Sequence, residues 1–308
     1  MNKIFYALFI AIIAFLFSCG SKQPVSISNS DNYRDIEERI EPTRAEQVMK
    51  SLHKAYPDHI EAVEFRNDDW AVLLRGKWYY FAGGRLLPED KLENTDIYRP
   101  IQFYHYPAQL PPWTARTPEE TERFRNMTAN RRQNTLKRSS YFTEDLWQAS
   151  TRIETERRLV RITFFGRRIR VHQGIQEKLE QVETRILAIA RMESEVQAWV
   201  DGIGTVEAWH WRNVADIEAR SYHSYGLAVD LLPRSLRGKQ TYWLWTSRYR
   251  EDWWNVSYND RYHPPQAVIN AFETYGFIWG GKWLLFDTMH FEYRPEILAF
   301  NGLLKTEN

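Results

Sequence analysis

The stretch Ser221–Pro233 reads "SYHSYGLAVDLLP", and its second half has the composition of a buried strand except for Asp230. An ionised carboxylate is costly to bury unless a strong partner compensates it. Either Asp230 has such a partner, or the strand is less buried than it looks. A second stretch, "FDTMHFEYR" at Phe286–Arg294, supplies candidates. In an extended strand His290 and Glu292 point to one face, and Phe291 and Tyr293 to the other. Asp287 stands three residues before His290. Together His223, Asp230 and His290 make three N/O donors, the number a catalytic zinc takes from its protein while leaving a fourth position for water. A carboxylate outside the ligand set then serves as general base, and Asp287 fits that post. Zinc in a purely structural role fits less well, because such sites are usually closed by four ligands and often use Cys. Spacing alone leaves open whether the two stretches meet.

The other six histidines carry less. His53, His59 and His105 have no acidic neighbour at useful spacing. His172 ends a strand-like run, His210 lies between two tryptophans and His263 precedes two prolines. Each reads as a surface or satisfied core histidine.

The chain has 308 residues, with 41 Lys+Arg against 40 Asp+Glu and a net charge of +1. That balance gives no case for bulk attraction to nucleic acid or to an anionic membrane. At the start, "MNKIFYALFIAIIAFLFSCGSK" combines Lys3 with the apolar run Ile4–Phe17, the layout of a secretory signal. The run is short for a membrane-spanning helix of about 20 residues. Its end, Leu16-Phe17-Ser18-Cys19-Gly20, resembles a lipoprotein signal box, in which the chain is cut before Cys19 and Cys19 carries the lipid. Phe17 is bulkier than usual there, and an ordinary signal peptide or a short uncleaved anchor is the alternative. Cys19 is the only cysteine, which suits an acylation site better than a reactive thiol. Residues 1–18 are thus expected to be a signal and 19–42, polar and rich in Ser and Asn, a tether.

Thr43 and Glu46 form a capping-box pattern ahead of Val48, Met49 and Leu52, which share a helical face. "WAVLLRGKWYYFAGGRLLP" reads as a hairpin turning at Arg75-Gly76, with a second turn at Gly83-Gly84. Residues 43–112 therefore read as a small α+β unit, and 113–154 as a helical connector that opens at Thr117-Pro118-Glu119-Glu120. Its basic run, "RFRNMTANRRQNTLKR", reads as a solvated helix face. "RLVRITFFGRRIRVH" alternates charged and apolar residues on both sides of Gly166, a hairpin signature. Ile175–Trp199 reads as one long amphipathic helix. A further helix starts at Pro264-Pro265 and stops at Gly276. Most residues of the Trp-rich segment "YWLWTSRYREDWWNVSYNDRYHPP" are expected in the core. The expected fold class is α+β: a small antiparallel sheet with flanking helices carrying the metal site in residues 155–308, plus the N-terminal unit.

"SYHSYGLAVD" resembles the Ser-x-His-x-x-Gly-x-Ala-x-Asp motif of the zinc D-Ala-D-Ala carboxypeptidases and related peptidoglycan peptidases, a group that includes D-Ala-D-Ala dipeptidases and the hedgehog signalling domain. Ser221, His223, Gly226, Ala228 and Asp230 match it. "DTMHFE" resembles the second motif of that group. The resemblance spans roughly residues 155–300 and leaves residues 19–140 outside it. It implies one zinc ion held by His223, Asp230 and His290, with Asp287 as base toward the attacking water and the leaving amine. An arginine ahead of the first motif, Arg212 or secondarily Arg220, would bind substrate or stabilise the oxyanion. Ser221 would hydrogen-bond substrate, and Glu292 would orient a ligand or Arg212, or serve structure alone. Dipeptidases of the group use glutamate as base, so Asp287 weakens that assignment. The expected substrates are peptidoglycan stem peptides, met by a lipid-anchored protein outside the cytoplasm, with the outer membrane slightly favoured. The expected activity is D-alanyl-D-alanine carboxypeptidase. An L-Ala-D-Glu type endopeptidase and a non-catalytic peptidoglycan-binding lipoprotein are the alternatives.

Overall fold

Thr43 accepts a hydrogen bond from the Glu46 amide and opens the first helix, α1 (Arg44–Ala55), whose buried face holds Val48, Met49 and Leu52. The computed structural model describes residues 43–305 apart from 102, 130–135 and 215–218. The expected signal, tether and Cys19, and part of the basic run, lie outside the described residues. No helix among the described residues is long and apolar enough to cross a membrane.

Four strands follow α1: β1 (Ile60–Arg66), β2 (Asp69–Leu74), β3 (Lys77–Tyr80) and β4 (Leu87–Pro88). They form an antiparallel sheet in chain order. The β2–β3 turn is at Arg75-Gly76, both at positive φ (52° and 73°), as tight hairpin turns require. The β1–β2 turn uses Asn67 and Asp68 in the same region. Asn and Asp tolerate it better than other side chains, a cue the sequence held in "RNDDW". Next come β5 (Tyr98–Arg99), α2 (Pro118–Ala129), β6 (Lys137–Arg138), α3 (Tyr141–Trp147) and α4 (Arg152–Arg158). β5 and β6 pair in parallel. Thr117 and Glu120 exchange reciprocal cap bonds at the head of α2.

β7 (Leu159–Phe164) and β8 (Arg167–His172) form the hairpin around Phe165-Gly166. α5 (Gln176–Ala190) and α6 (Ser194–Gly202) replace the single helix expected over 175–199. The buried stripe of α5 runs through Val182, Ile186 and Ala190. One unbroken helix would carry that stripe onto Glu193 or Ser194. The chain breaks there instead, leaving Met192 in solvent and restarting with Val196 and Trp199 buried.

β9 (Ile203–Glu207), β10 (Ala228–Pro233), α7 (Trp243–Thr246), α8 (Gln266–Thr274), β11 (Phe277–Trp279), β12 (His290–Tyr293) and α9 (Pro295–Phe300) complete the fold. The second sheet is antiparallel with order β11-β12-β10-β9, so β12 and β10 are its central strands. This is the α+β fold class that the sequence implied. One buried apolar cluster extends from Val48 of α1 to Leu298 of α9, so the N-terminal sheet and the β10–β12 sheet share a core. Trp243, Trp253 and Trp254 sit in a smaller cluster with Phe124, Val256 and Phe286, whereas Trp245 is exposed.

Candidate metal centre

Strand alternation answers the question posed by Asp230. In β10, Val229 and Leu231 face the helices, and Val229 lies directly opposite Phe291 of β12. Phe291 stacks on Phe272 of α8, 3.9 Å between ring centres at 18°. The alternate residues, Ala228 and Asp230 on β10 and His290 and Glu292 on β12, share the other face, with Asp230 directly opposite His290. His223 reaches the same point from the 3-10 turn Tyr222–Tyr225 that precedes β10. Gly226 ends that turn at φ 73°. A Cβ there would lie 2.7 Å from the backbone nitrogen of His172 and from Leu159 Cδ2, so only glycine fits.

Three donor atoms converge. His290 Nδ1 lies 2.8 Å from Asp230 Oδ1, His223 Nε2 lies 3.2 Å from the same oxygen, and the two ring nitrogens are 3.1 Å apart. Ligands about 2.0–2.1 Å from a tetrahedral zinc are separated by about 3.3 Å, so this triangle is close to one face of such a site. The ring nitrogen of each histidine that points away from the triangle has its own hydrogen-bond acceptor. His223 Nδ1–H donates to the Ala208 carbonyl, and His290 Nε2–H donates to Glu292 Oε2 at 3.1 Å. All three donor residues are buried, and together they can hold a metal ion.

The electrostatics point the same way. Burial alone would raise Asp230, but the His223 and His290 imidazoles hold it well below the usual carboxylate range. Burial would lower His290, yet hydrogen bonds to Asp230 and Glu292 push it up to about 10. Two carboxylates on one imidazole make a locus that attracts a cation. Asp287 is half-buried, with its Oδ1 shut off from solvent. Its carboxyl is raised to about 7, first by burial and then by the charge of Asp230, opposed by His290 and Arg212. Its Oδ1 has no hydrogen-bond partner among the described residues. A buried oxygen left open beside a donor triangle is what a proton-transfer group toward an incoming water requires.

A cleft of ≈ 580 Å³ opens on His223 and Asp230, and Arg212 lines it. Arg212 is held through its backbone: its N–H donates to Ser224 Oγ at 2.8 Å and its carbonyl accepts from the Ser221 amide at 3.1 Å. Ser221 caps the 3-10 turn, its hydroxyl accepting from the His223 amide at 3.3 Å. Arg220 stands apart. Its guanidinium bonds the Ala149 carbonyl at 2.7 Å, pairs with Glu144 and covers the Tyr225 ring at 3.8 Å, so it fastens the turn to α3 and does not line the cleft. Glu292 orients His290 and pairs with Arg294 at 3.1 Å, not with Arg212. Arg294 in turn bonds Glu296. Sequence reading singled out neither Arg294 nor Glu296, although the i, i+2, i+4 spacing of Glu292, Arg294 and Glu296 was visible.

An antiparallel sheet thus brings two imidazoles and a carboxylate together as a group that could bind a metal ion, beside an acid whose Oδ1 is buried. Residues 215–293 match a family model described as D-alanyl-D-alanine carboxypeptidase, a span that holds every residue of the donor triangle, Asp287 and Glu292, and begins just after Arg212. Residues 48–103 match a domain of unknown function, DUF8518. No curated protein and no solved structure matches the chain.

Proposed function

We propose that the protein is a zinc-dependent peptidase of peptidoglycan stem peptides, acting as a D-alanyl-D-alanine carboxypeptidase, exported and held at a membrane through a lipid on Cys19. The observation that carries the reading is the convergence of His223, Asp230 and His290 next to Asp287, inside the stretch similar to that peptidase family. A zinc ion held by these three residues would supply Lewis acidity and a water acidic enough to ionise near neutral pH. Asp287 accepts the proton of the attacking water and returns it to the leaving amine, a task suited to a carboxyl raised to about 7. Arg212, on the cleft wall, offers its guanidinium to the developing oxyanion. Glu292 and the Ala208 carbonyl keep the two imidazoles from turning. The metal ligands and the acid are all present, which favours an enzyme over a binding module that keeps only the fold.

The test is mass spectrometry of muropeptides incubated with the purified protein, before and after chelation and zinc repletion. Loss of a single terminal D-Ala that stops on chelation and returns with zinc is the expected result. A cut within the stem would make it an endopeptidase. Tight stem-peptide binding without any product, at full zinc occupancy, would sink the peptidase reading.

A further inference from the structure

The cleft carries more positive charge than the donor triangle and Arg212 account for. Arg161, Arg168 and Arg170 of the β7–β8 hairpin line it together with Arg212, and among the described residues Glu207 is the one carboxylate lining it outside the donor triangle. Alternation brings them there: Ile162, Phe164, Ile169 and Val171 face the core, so Arg161, Thr163, Arg168 and Arg170 face outward. The register sets Arg161 directly opposite Arg170, and Thr163 opposite Arg168. Like charges directly opposite on an antiparallel pair destabilise it. Among the described residues none of these three arginines has an ion-pair partner. Arg170 is instead fixed by Trp209, its guanidinium 4.2 Å over the indole, while the Trp209 amide donates to the Arg170 carbonyl at 3.2 Å. One guanidinium is thus pre-positioned, and two exposed ones stand beside it on a face that continues into the metal centre.

We propose that this arginine face is an anion subsite that selects peptides whose side-chain carboxylates are free, discriminating against their amidated forms. The inference rests on the peptidase reading and names its substrate class: acidic stem peptides. Guanidinium forks match carboxylates in two-point contacts, and a cleft wall on which positive charge predominates concentrates the oppositely charged ligand.

The experiment uses the full chain as Asp287→Asn, loaded with zinc, so that binding is read without turnover. Calorimetry compares a stem pentapeptide whose D-glutamate and diaminopimelate carboxylates are free with the same peptide amidated at both. The free acid is expected to bind about tenfold tighter or more, and the preference is expected to shrink as salt rises. Arg161→Gln with Arg168→Gln, both exposed, should erase it and leave the affinity for the amidated peptide unchanged. Arg168→Glu should invert it. Equal affinities, failure of both peptides to bind, a preference that survives the arginine changes, or displacement of the peptide by inorganic phosphate at concentrations below those at which the peptide binds would each overturn the proposal. Cleavage by the unaltered protein is scored separately: a binding preference with no cleavage counts against the peptidase reading alone.

Discussion

The Tyr56 hydroxyl donates a 2.6 Å hydrogen bond to Glu296 Oε2, joining positions 240 residues apart. Tyr56 caps α1, and Glu296 bonds Arg294, which pairs with Glu292, which accepts from His290. A buried polar chain therefore runs from the end of the N-terminal helix to a residue of the donor triangle. Burial and the adjacent Glu296 hold the Tyr56 phenol well above its ordinary pKa, so the hydroxyl stays a donor.

Tyr56→Phe leaves a buried carboxylate oxygen short of its donor. A loss of about 1.5–3 kcal/mol is expected in chemical denaturation, with zinc stoichiometry unchanged at one per chain. Glu292→Gln acts nearer the centre, and its zinc affinity should fall about 10–100-fold in competition with a chromogenic chelator. An unaltered zinc affinity would show that His290 does not depend on this chain for its orientation.

Asp287→Asn keeps the shape of the side chain and removes the proton acceptor. Turnover of stem peptides should drop about 10²–10⁴-fold, while bound zinc, measured by atomic emission, stays the same. Activity near that of the unaltered protein would remove Asp287 from the role of base.

Gly226→Ala meets two penalties: a positive φ and a clash with the backbone of His172 and with Leu159. A destabilisation of about 2–4 kcal/mol is expected. Because the turn carries His223, zinc affinity should fall with it. A melting temperature within a degree of the parent would contradict the turn geometry.

Acid should weaken the fold through two histidines outside the metal centre. His172 is lowered to about 4 by burial, and its ring bridges the Trp147 carbonyl and the Gly174 amide. His263 is also lowered to about 4, by burial and by Arg261. A histidine whose folded pKa lies below the unfolded value of about 6.5 takes up its proton more readily when unfolded. Its contribution to stability is therefore complete above about pH 6.5 and is lost as pH falls toward 4. For His172 the loss is about 2.5 kcal/mol at pH 4.5. Denaturation midpoints measured from pH 7.5 to 4.5 should decline across this window, and His172→Asn should flatten the decline at a cost in stability at neutral pH. Equal slopes for the two proteins would remove His172 from the explanation.

Much of the centre was legible because its residues lie in two short stretches whose local geometry does most of the positioning. A turn, a glycine and period-two alternation predict which side chains share a face. What the sequence could not state is the pairing of β10 with β12, which brings Asp230 opposite His290 although 60 residues separate them. The sequence ranked Arg212 ahead of Arg220 but gave no physical ground to separate them, since both precede the first motif. Only the tertiary position of Glu144 and Tyr225 takes Arg220 away from the cleft. The long-helix expectation failed at Arg191–Glu193, where a regular apolar stripe concealed a polar residue that the core would not admit. The hairpin arginines were visible as alternating charges, but their relation to the cleft depends on how the hairpin lies against β9.

The direct opposition of Asp230 and His290 makes the geometry of the three donors a property of strand alignment. Moving β10 by a single residue against β12 would turn Asp230 into the helices and bring Val229 to the cleft. The three donors therefore exist as a group only in one alignment of two central strands. Affinity for the ion then doubles as a readout of correct sheet assembly, and a zinc titration during refolding would time the moment at which β12 docks.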